Sequence, residues 1–153
     1  MRITQQNFLY SISKIRQNLF SFLEGELSAQ HIHDISPSDG DILFVLDGKG
    51  ALSIQEIASL TIKDKSTVSP VIKKLEERGY VTKERGEDDG RSVKIKLTSK
   101  SHKIKPALWK ISASMNQRLF RGLDEEERAR LFELLGKVYN NVEKLNEHPG
   151  RKV

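Results

Sequence analysis

Apolar residues recur along this chain with changing rhythm, and each change marks a new element. Phe8, Ile12, Ile15, Leu19 and Phe22 follow one another at spacings of four, three, four and three. That is one face of a helix, widened by Leu9, Phe20 and Leu23, and it predicts a helix over residues 4–26. A polar stretch, GELSAQHIHDISPSDG, leads into Ser36-Pro37-Ser38, where a capping residue and an entry proline predict a second helix over 38–46, stopped by DGKG. Ala51-Leu52-Ser53 reads as a short extended piece. Ser53 and Glu56 form a capping box, and Ile54, Ile57, Ala58 and Leu60 supply the apolar side of the helix that follows. After TIKD, Asp64 is placed to cap a longer helix to residue 78, with Val68, Val71, Ile72 and Leu75 inward and Gly79 as its stop. Two helices joined by so short a turn are a helix-turn-helix candidate.

Beyond Gly79 the period falls to two. Residues 80–85 read as one strand, and Val93, Ile95 and Leu97 alternate with Lys94 and Lys96 in the next, with Glu87, Asp88, Asp89 and Gly90 as the turn between them. Thr98 closes the hairpin and is placed to cap a long helix from about Ser99. Leu108, Trp109, Ile111, Met115, Leu119 and Phe120 mark that helix's inward side, and Trp109 is read first as a core residue. Asp124 and Glu127 make another capping box before a last helix with the seam Leu131, Leu134, Leu135, Val138, Val142 and Leu145. The tail NEHPGRKV is expected to fray.

Composition narrows the function. With no cysteine among 153 residues, disulfides, thiolate metal sites and thiol-based sensing are excluded. No Gly-rich phosphate loop, G-x-S-x-G or H-E-x-x-H occurs, which argues against an enzyme, and no cofactor is implied. His31 and His33 suggest an imidazole pair, but the four histidines are scattered and no metal site is expected. The N-terminus lacks the apolar segment of a signal peptide and no apolar run approaches a membrane span, so a cytoplasmic protein without a membrane partner is expected. The formal charge of +5 decides little alone. Its distribution says more: between Val93 and Lys105 there are five lysines (94, 96, 100, 103 and 105) and no acid.

The order of elements is that of a winged helix-turn-helix, a fold in which one helix fits the DNA major groove and a two-stranded ribbon reaches the adjacent minor groove. The outward side of the second helix of the pair carries Lys65, Ser66, Thr67, Ser69, Lys73 and Lys74, which suit phosphates and base edges. Taken alone such a face is more often just solvated; the adjoining basic hairpin shifts the balance toward nucleic acid.

These residues carry a resemblance. DKSTVSPVIKKLEERGYV, then Asp89-Gly90-Arg91, then Val93-Lys94-Ile95-Lys96-Leu97-Thr98 resemble the ordered motifs of the MarR family of bacterial transcription regulators, over residues 36–105. The helical flanks match in layout and length. The resemblance implies a mainly α protein with a small β-hairpin wing. Residues 1–35 would be an N-terminal dimerisation helix and linker, 36–100 a winged helix-turn-helix, and 101–153 C-terminal dimerisation helices. It implies a homodimer that binds double-stranded DNA at a pseudo-palindrome, most often as a repressor released by a small aromatic or phenolic ligand. By position, Arg91 would enter the minor groove, with Asp89 orienting it. Ser66, Thr67 and Ser69 would touch DNA, beside Lys65, Pro70, Lys73, Lys74 and Lys94. Phe8, Ile12, Ile15, Leu19, Leu134, Val138 and Val142 would form the dimer interface, and Tyr10, Arg16, His33 and Trp109 are candidates for the effector pocket. Two positions depart from the family pattern. Pro70 lies inside the recognition helix, where it is expected to bend or loosen the first turns, and Ser101 stands where a glycine usually follows L-T-x-x. The competing reading is a winged module that docks on a protein and binds no specific DNA.

Overall fold

In the computed structural model, residues 2–85 and 93–146 are described. A 3-10 turn, Gln5–Asn7, leads into α1 (Phe8–Ala29); α2 (Pro37–Lys49), α3 (Ile54–Leu60) and α4 (Lys65–Glu77) follow, then β1 (Val81–Arg85), β2 (Val93–Leu97), α5 (Ser99–Leu119) and α6 (Glu125–Asn146). The chain divides into two compact units, residues 1–115 and 116–153.

Local signals explain most boundaries. Ser36 accepts from the Asp39 N–H while the Asp39 carboxylate accepts from the Ser36 N–H at 2.7 Å, so the box closes one residue earlier than the proline pattern suggests. Helix α2 then runs through Asp47 and Gly48 to Lys49, and Gly50, at φ 82°, ends it. The expected stop at DGKG therefore falls at its second glycine, whose φ of 82° with an extended ψ is open essentially to glycine alone. Ser53 and Glu56 form the anticipated box at α3. Asp64 sits at the N-cap of α4 but makes no side-chain cap bond; its carbonyl receives the Thr67 and Val68 N–H groups instead.

Three helix ends share one hydrogen-bond pattern. At the close of α1, His31 (φ 57°) donates to Ser28 and Ile32 donates to Leu27. At the close of α3, Ile62 (φ 53°) donates to Ser59 and Lys63 to Ala58; at the close of α4, Gly79 (φ 74°) donates to Glu76 and Tyr80 to Leu75. Each is a 5→2, 6→1 pair about a left-handed residue, and only the last uses glycine there.

The core of the first unit joins α2, α3, α4 and the hairpin. Ile42, Leu46, Ile57, Val68, Ile72, Leu75 and Ile95 are each at most 2% exposed. The strands pair antiparallel, Val81 opposite Leu97 and Arg85 opposite Val93. Leu52, in the short extended piece, exchanges both backbone bonds with Ile95, adding a single-residue third strand. Tyr80 lies just outside β1, its backbone spent on the α4 stop. Trp109 is 49% exposed, not core; it stands edge-on to Phe44 with ring centroids 5.1 Å apart. In the second unit, Asp124 and Glu127 close the predicted box, and Phe120 meets Phe132 edge to face.

Candidate nucleic-acid interface

Helix α4 divides cleanly by face. Val68, Ile72 and Leu75 are buried at 0–1% exposure, while Lys65, Ser66, Thr67, Pro70, Lys73 and Lys74 are exposed and Ser69 is half-buried. The helix is continuous through Pro70. Sitting at the sixth helical position, proline removes one ladder bond without disturbing the first turn, whose N–H groups have no intrahelical partner in any helix. Ser69 bends its hydroxyl back along the helix, donating to the exposed Lys65 carbonyl at 2.8 Å. The turn before α4 is held to α2 by Lys63, whose Nζ lies 2.7 Å from Asp41 Oδ2.

The hairpin is anchored by Ile95, fully buried, between half-buried Lys94 and exposed Lys96. Lys96 reaches diagonally across the pair to Glu84 at 3.0 Å, so its charge is partly spent within the sheet. Lys94 lies near Glu56, whose carboxyl is held below its ordinary value chiefly by the Ser53 N–H and hydroxyl and in small part by Lys94. The tip residues proposed from sequence, Asp89 and Arg91, lie outside the described residues, as does the turn Glu87–Gly90 itself.

A polar clasp behind this face ties four elements together. Asp34, in the α1–α2 linker, accepts from the Tyr80 hydroxyl at 2.8 Å and from Lys100 Nζ, at the start of α5, at 3.0 Å. Lys100 also donates to the Arg78 carbonyl at 2.9 Å and stands 4.0 Å over the Tyr80 ring. Arg78, at the end of α4, returns to the Asp34 carbonyl at 2.7 Å and nears the buried Asp39 carboxylate at 3.4 Å. Burial pushes the Asp34 carboxyl up, but the hydroxyl and ammonium facing it outweigh burial and hold it below its usual value. Burial, then Asp34, raise the Tyr80 phenol, and the bond to Asp34 raises Lys100. Ser101, where the family pattern has glycine, is buried and donates a short hydrogen bond to the Tyr80 carbonyl. Thr98 likewise sends its hydroxyl back, to the carbonyls of Gly79 and Tyr80, instead of capping α5.

Between α1, α2 and α5 lies a cavity of about 130 Å³, lined mainly by apolar groups that include Leu23, Leu27, Phe44, Leu108, Ile111 and Met115, with Ser36, Asp41 and Ser112 as polar points. The effector candidates read from sequence do not gather there. His33 lines a separate, more polar hollow with Glu24, Ser28 and Arg78, and Trp109 borders a small cleft closed by the Lys105–Asp47 pair at 2.8 Å. Tyr10 is exposed, and Arg16 stacks over the Phe20 ring at 5.5 Å. His31 and His33 meet edge on at 6.4 Å, and no group of three possible ligands for a metal exists among the described residues.

The clasp and the cavity escaped the sequence reading. Lys100 is one of five lysines in an acid-free run, and nothing local singles out the one whose partner lies 66 positions upstream. The cavity residues read as ordinary core.

The MarR family model matches residues 33–92. The chain is 32% identical over 106 residues to the HTH-type transcriptional regulator MgrA of Staphylococcus aureus, covering 69% of this chain and 71% of the relative. It is also 32% identical over 106 residues to the HTH-type transcriptional regulator YkoM of Bacillus subtilis, covering 69% of each. Among solved structures it is similar to Staphylococcus aureus MepR in a complex with DNA, at a TM-score of 0.80 and 22% identity, covering 91% of this chain and 99% of that one.

Proposed function

The chain belongs to the MarR family of transcriptional regulators, and on that premise we propose that it is a homodimeric repressor that binds a pseudo-palindromic DNA site and is released by a small aromatic or phenolic ligand. The observation that carries this reading is the outward face of α4. Hydroxyls and lysines are exposed there on a helix whose opposite face is fully buried, so the face is rigidly presented. Lys65, Lys73 and Lys74 flank it where phosphates would lie, Ser66, Thr67, Ser69 and Pro70 occupy the base-facing positions, and Lys94 extends the basic surface onto the hairpin. Asp89 and Arg91, outside the described residues, are assigned to the same contact from their place in the sequence.

Support for the other parts is of different kinds. Ile12 and Ile15 of α1 are 41% and 39% exposed, and Leu134, Val138 and Val142 of α6 are 44%, 37% and 50% exposed; a second copy would cover them. Phe8 and Leu19 belong to the α1 stripe by spacing. The cavity between α1, α2 and α5 has the apolar lining and few polar points of a small-ligand site, and its residues touch the same linker that carries Asp34. No helix among the described residues is long and apolar enough to cross a membrane.

In vitro selection of duplex sites with the full chain tests the reading, followed by a salt titration on the selected site and a screen for small molecules that release it. Affinity should fall steeply with salt, because several phosphates are neutralised per dimer. Absence of salt-sensitive duplex binding would favour the protein-docking alternative.

A further inference from the structure

The outward stripe of α4 is Ser66, Pro70, Lys73 and Glu77, spaced four, three and four, directly opposite buried Val68, Ile72 and Leu75. Two features give the N-terminal half of this stripe an unusual polarity. In a continuous α-helix the N–H of residue 70 would donate to the carbonyl of Ser66, but Pro70 has no N–H. The Ser66 carbonyl, on the exposed side, is thereby released from the i+4 ladder and can accept from outside. One position earlier, Ser69 spends its only hydroxyl proton on the Lys65 carbonyl, which leaves that oxygen as an acceptor alone. Beside these two acceptors lies the Pro70 ring, an exposed apolar surface. Every side chain here is short, so the helix backbone can approach a groove floor closely, as a helix armed with arginine or glutamine at these positions could not.

From this arrangement we infer that the Ser66–Pro70 segment selects adenine·thymine pairs in the major groove. It accepts the single groove-facing N6–H of adenine, shared between the Ser66 carbonyl and Ser69 Oγ, and packs the Pro70 ring against the thymine methyl. The chemistry of the groove makes the choice. Adenine and cytosine both present an amino donor, but only the A·T pair combines that donor with a methyl group, while guanine presents the acceptors N7 and O6, which neither the Ser66 carbonyl nor the acceptor-only Ser69 Oγ can satisfy. Proline is therefore a specificity-determining residue in two ways, through its ring and through the hydrogen bond it cannot make. The inference rests on the DNA-binding reading above and specifies what that same face recognises.

The test uses the full chain and its selected duplex. At each A·T pair of a half-site in turn, thymine is replaced by uracil, which lacks only the methyl, or adenine by unsubstituted purine, which lacks only the amino group. The wild-type chain should lose on the order of tenfold in affinity for each replacement at one pair per half-site. Pro70→Ala restores the N–H to the Ser66 carbonyl, so this variant should melt at a higher temperature yet become indifferent to uracil and less sensitive to purine. Ser69→Ala should keep the uracil effect and lose part of the purine effect. If the wild-type chain binds its selected site and neither replacement matters at any pair, or if Pro70→Ala shows both losses undiminished, the inference is overturned while DNA binding stands. If the wild-type chain selects no duplex at all, the function proposed above fails first.

Discussion

The Tyr80 hydroxyl donates to Asp34 Oδ1 at 2.8 Å, joining the turn between α4 and β1 to the linker that follows α1, 46 positions away. Tyr80 itself is 2% exposed, so its ring is core and only its tip is polar. Removing the hydroxyl by Tyr80→Phe should cost about 1 kcal/mol of unfolding free energy, the usual net worth of one such bond with an accessible acceptor left to water. Urea unfolding measures it, and an unchanged midpoint would show the bond to be idle.

The same carboxylate predicts a pH dependence. Because the folded Asp34 carboxyl is held below its ordinary value, its contribution is fully present above the unfolded value near 4 and is lost as pH falls through the lower folded value. Asp34→Asn should therefore be less stable than the wild-type chain at pH 6, and the gap should narrow on acidification below about pH 4. A gap of constant size across that range would assign the loss to packing instead of charge.

Ile62 takes φ 53° at the end of α3, in the same hydrogen-bond pattern that places Gly79 at φ 74° at the end of α4. A β-branched residue in the left-handed region carries strain of roughly 1–2 kcal/mol, and Ile62 is 67% exposed, so little packing offsets it. Ile62→Asn should raise stability by about 1 kcal/mol, or roughly 2–4 °C in melting temperature for a chain of this size. The reciprocal change, Gly79→Ala, should lower it by about as much. Thermal melts of the two variants check both signs at once.

Much of this architecture was legible because it is written locally. Ser36, Ser53 and Asp124 each sit three residues before an acid and start a helix, and the alternation of Val93, Ile95 and Leu97 places Ile95 in the core. What local pattern missed was non-local. Thr98 and Asp64 have the residue type of a cap, but Thr98 finds the carbonyls of Gly79 and Tyr80 in reach and bonds those instead. Trp109 has helical spacing with the inward stripe, yet lies at its edge and emerges half-exposed. The outward face of α4 was readable for the same reason as the caps: its residues fall within one helix, while the clasp draws its residues from three separate segments, at 34, 78–80 and 100.

Arg91→Ala, in the segment between β1 and β2, should weaken binding to the selected duplex by roughly 1–3 kcal/mol, the scale of one good groove contact. A guanidinium enters a narrow minor groove at lower desolvation cost than an ammonium, so Arg91→Lys should recover the charge but only part of the affinity. Titration of both variants against the same duplex separates these effects. Equal affinity for all three proteins would remove Arg91 from the contact.

Helix α6 makes the dimer testable without DNA. Leu134, Val138 and Val142 recur at helical spacing and are each 37–50% exposed, so they are half-packed in one chain and available to a second. In a two-fold interface every substitution appears twice, which doubles the cost of a buried charge. Leu134→Glu with Val138→Glu places four new carboxylates at such a contact while leaving the core of residues 42–95 untouched. The variant should sediment as a monomer at micromolar concentration where the wild-type chain is a dimer. It should keep the circular dichroism of its helices, and lose operator affinity more than any single change on α4, because two half-sites can no longer be held one helical turn apart. A wild-type chain that sediments as a monomer would remove the symmetric model. A variant that stays dimeric would move the interface away from α6.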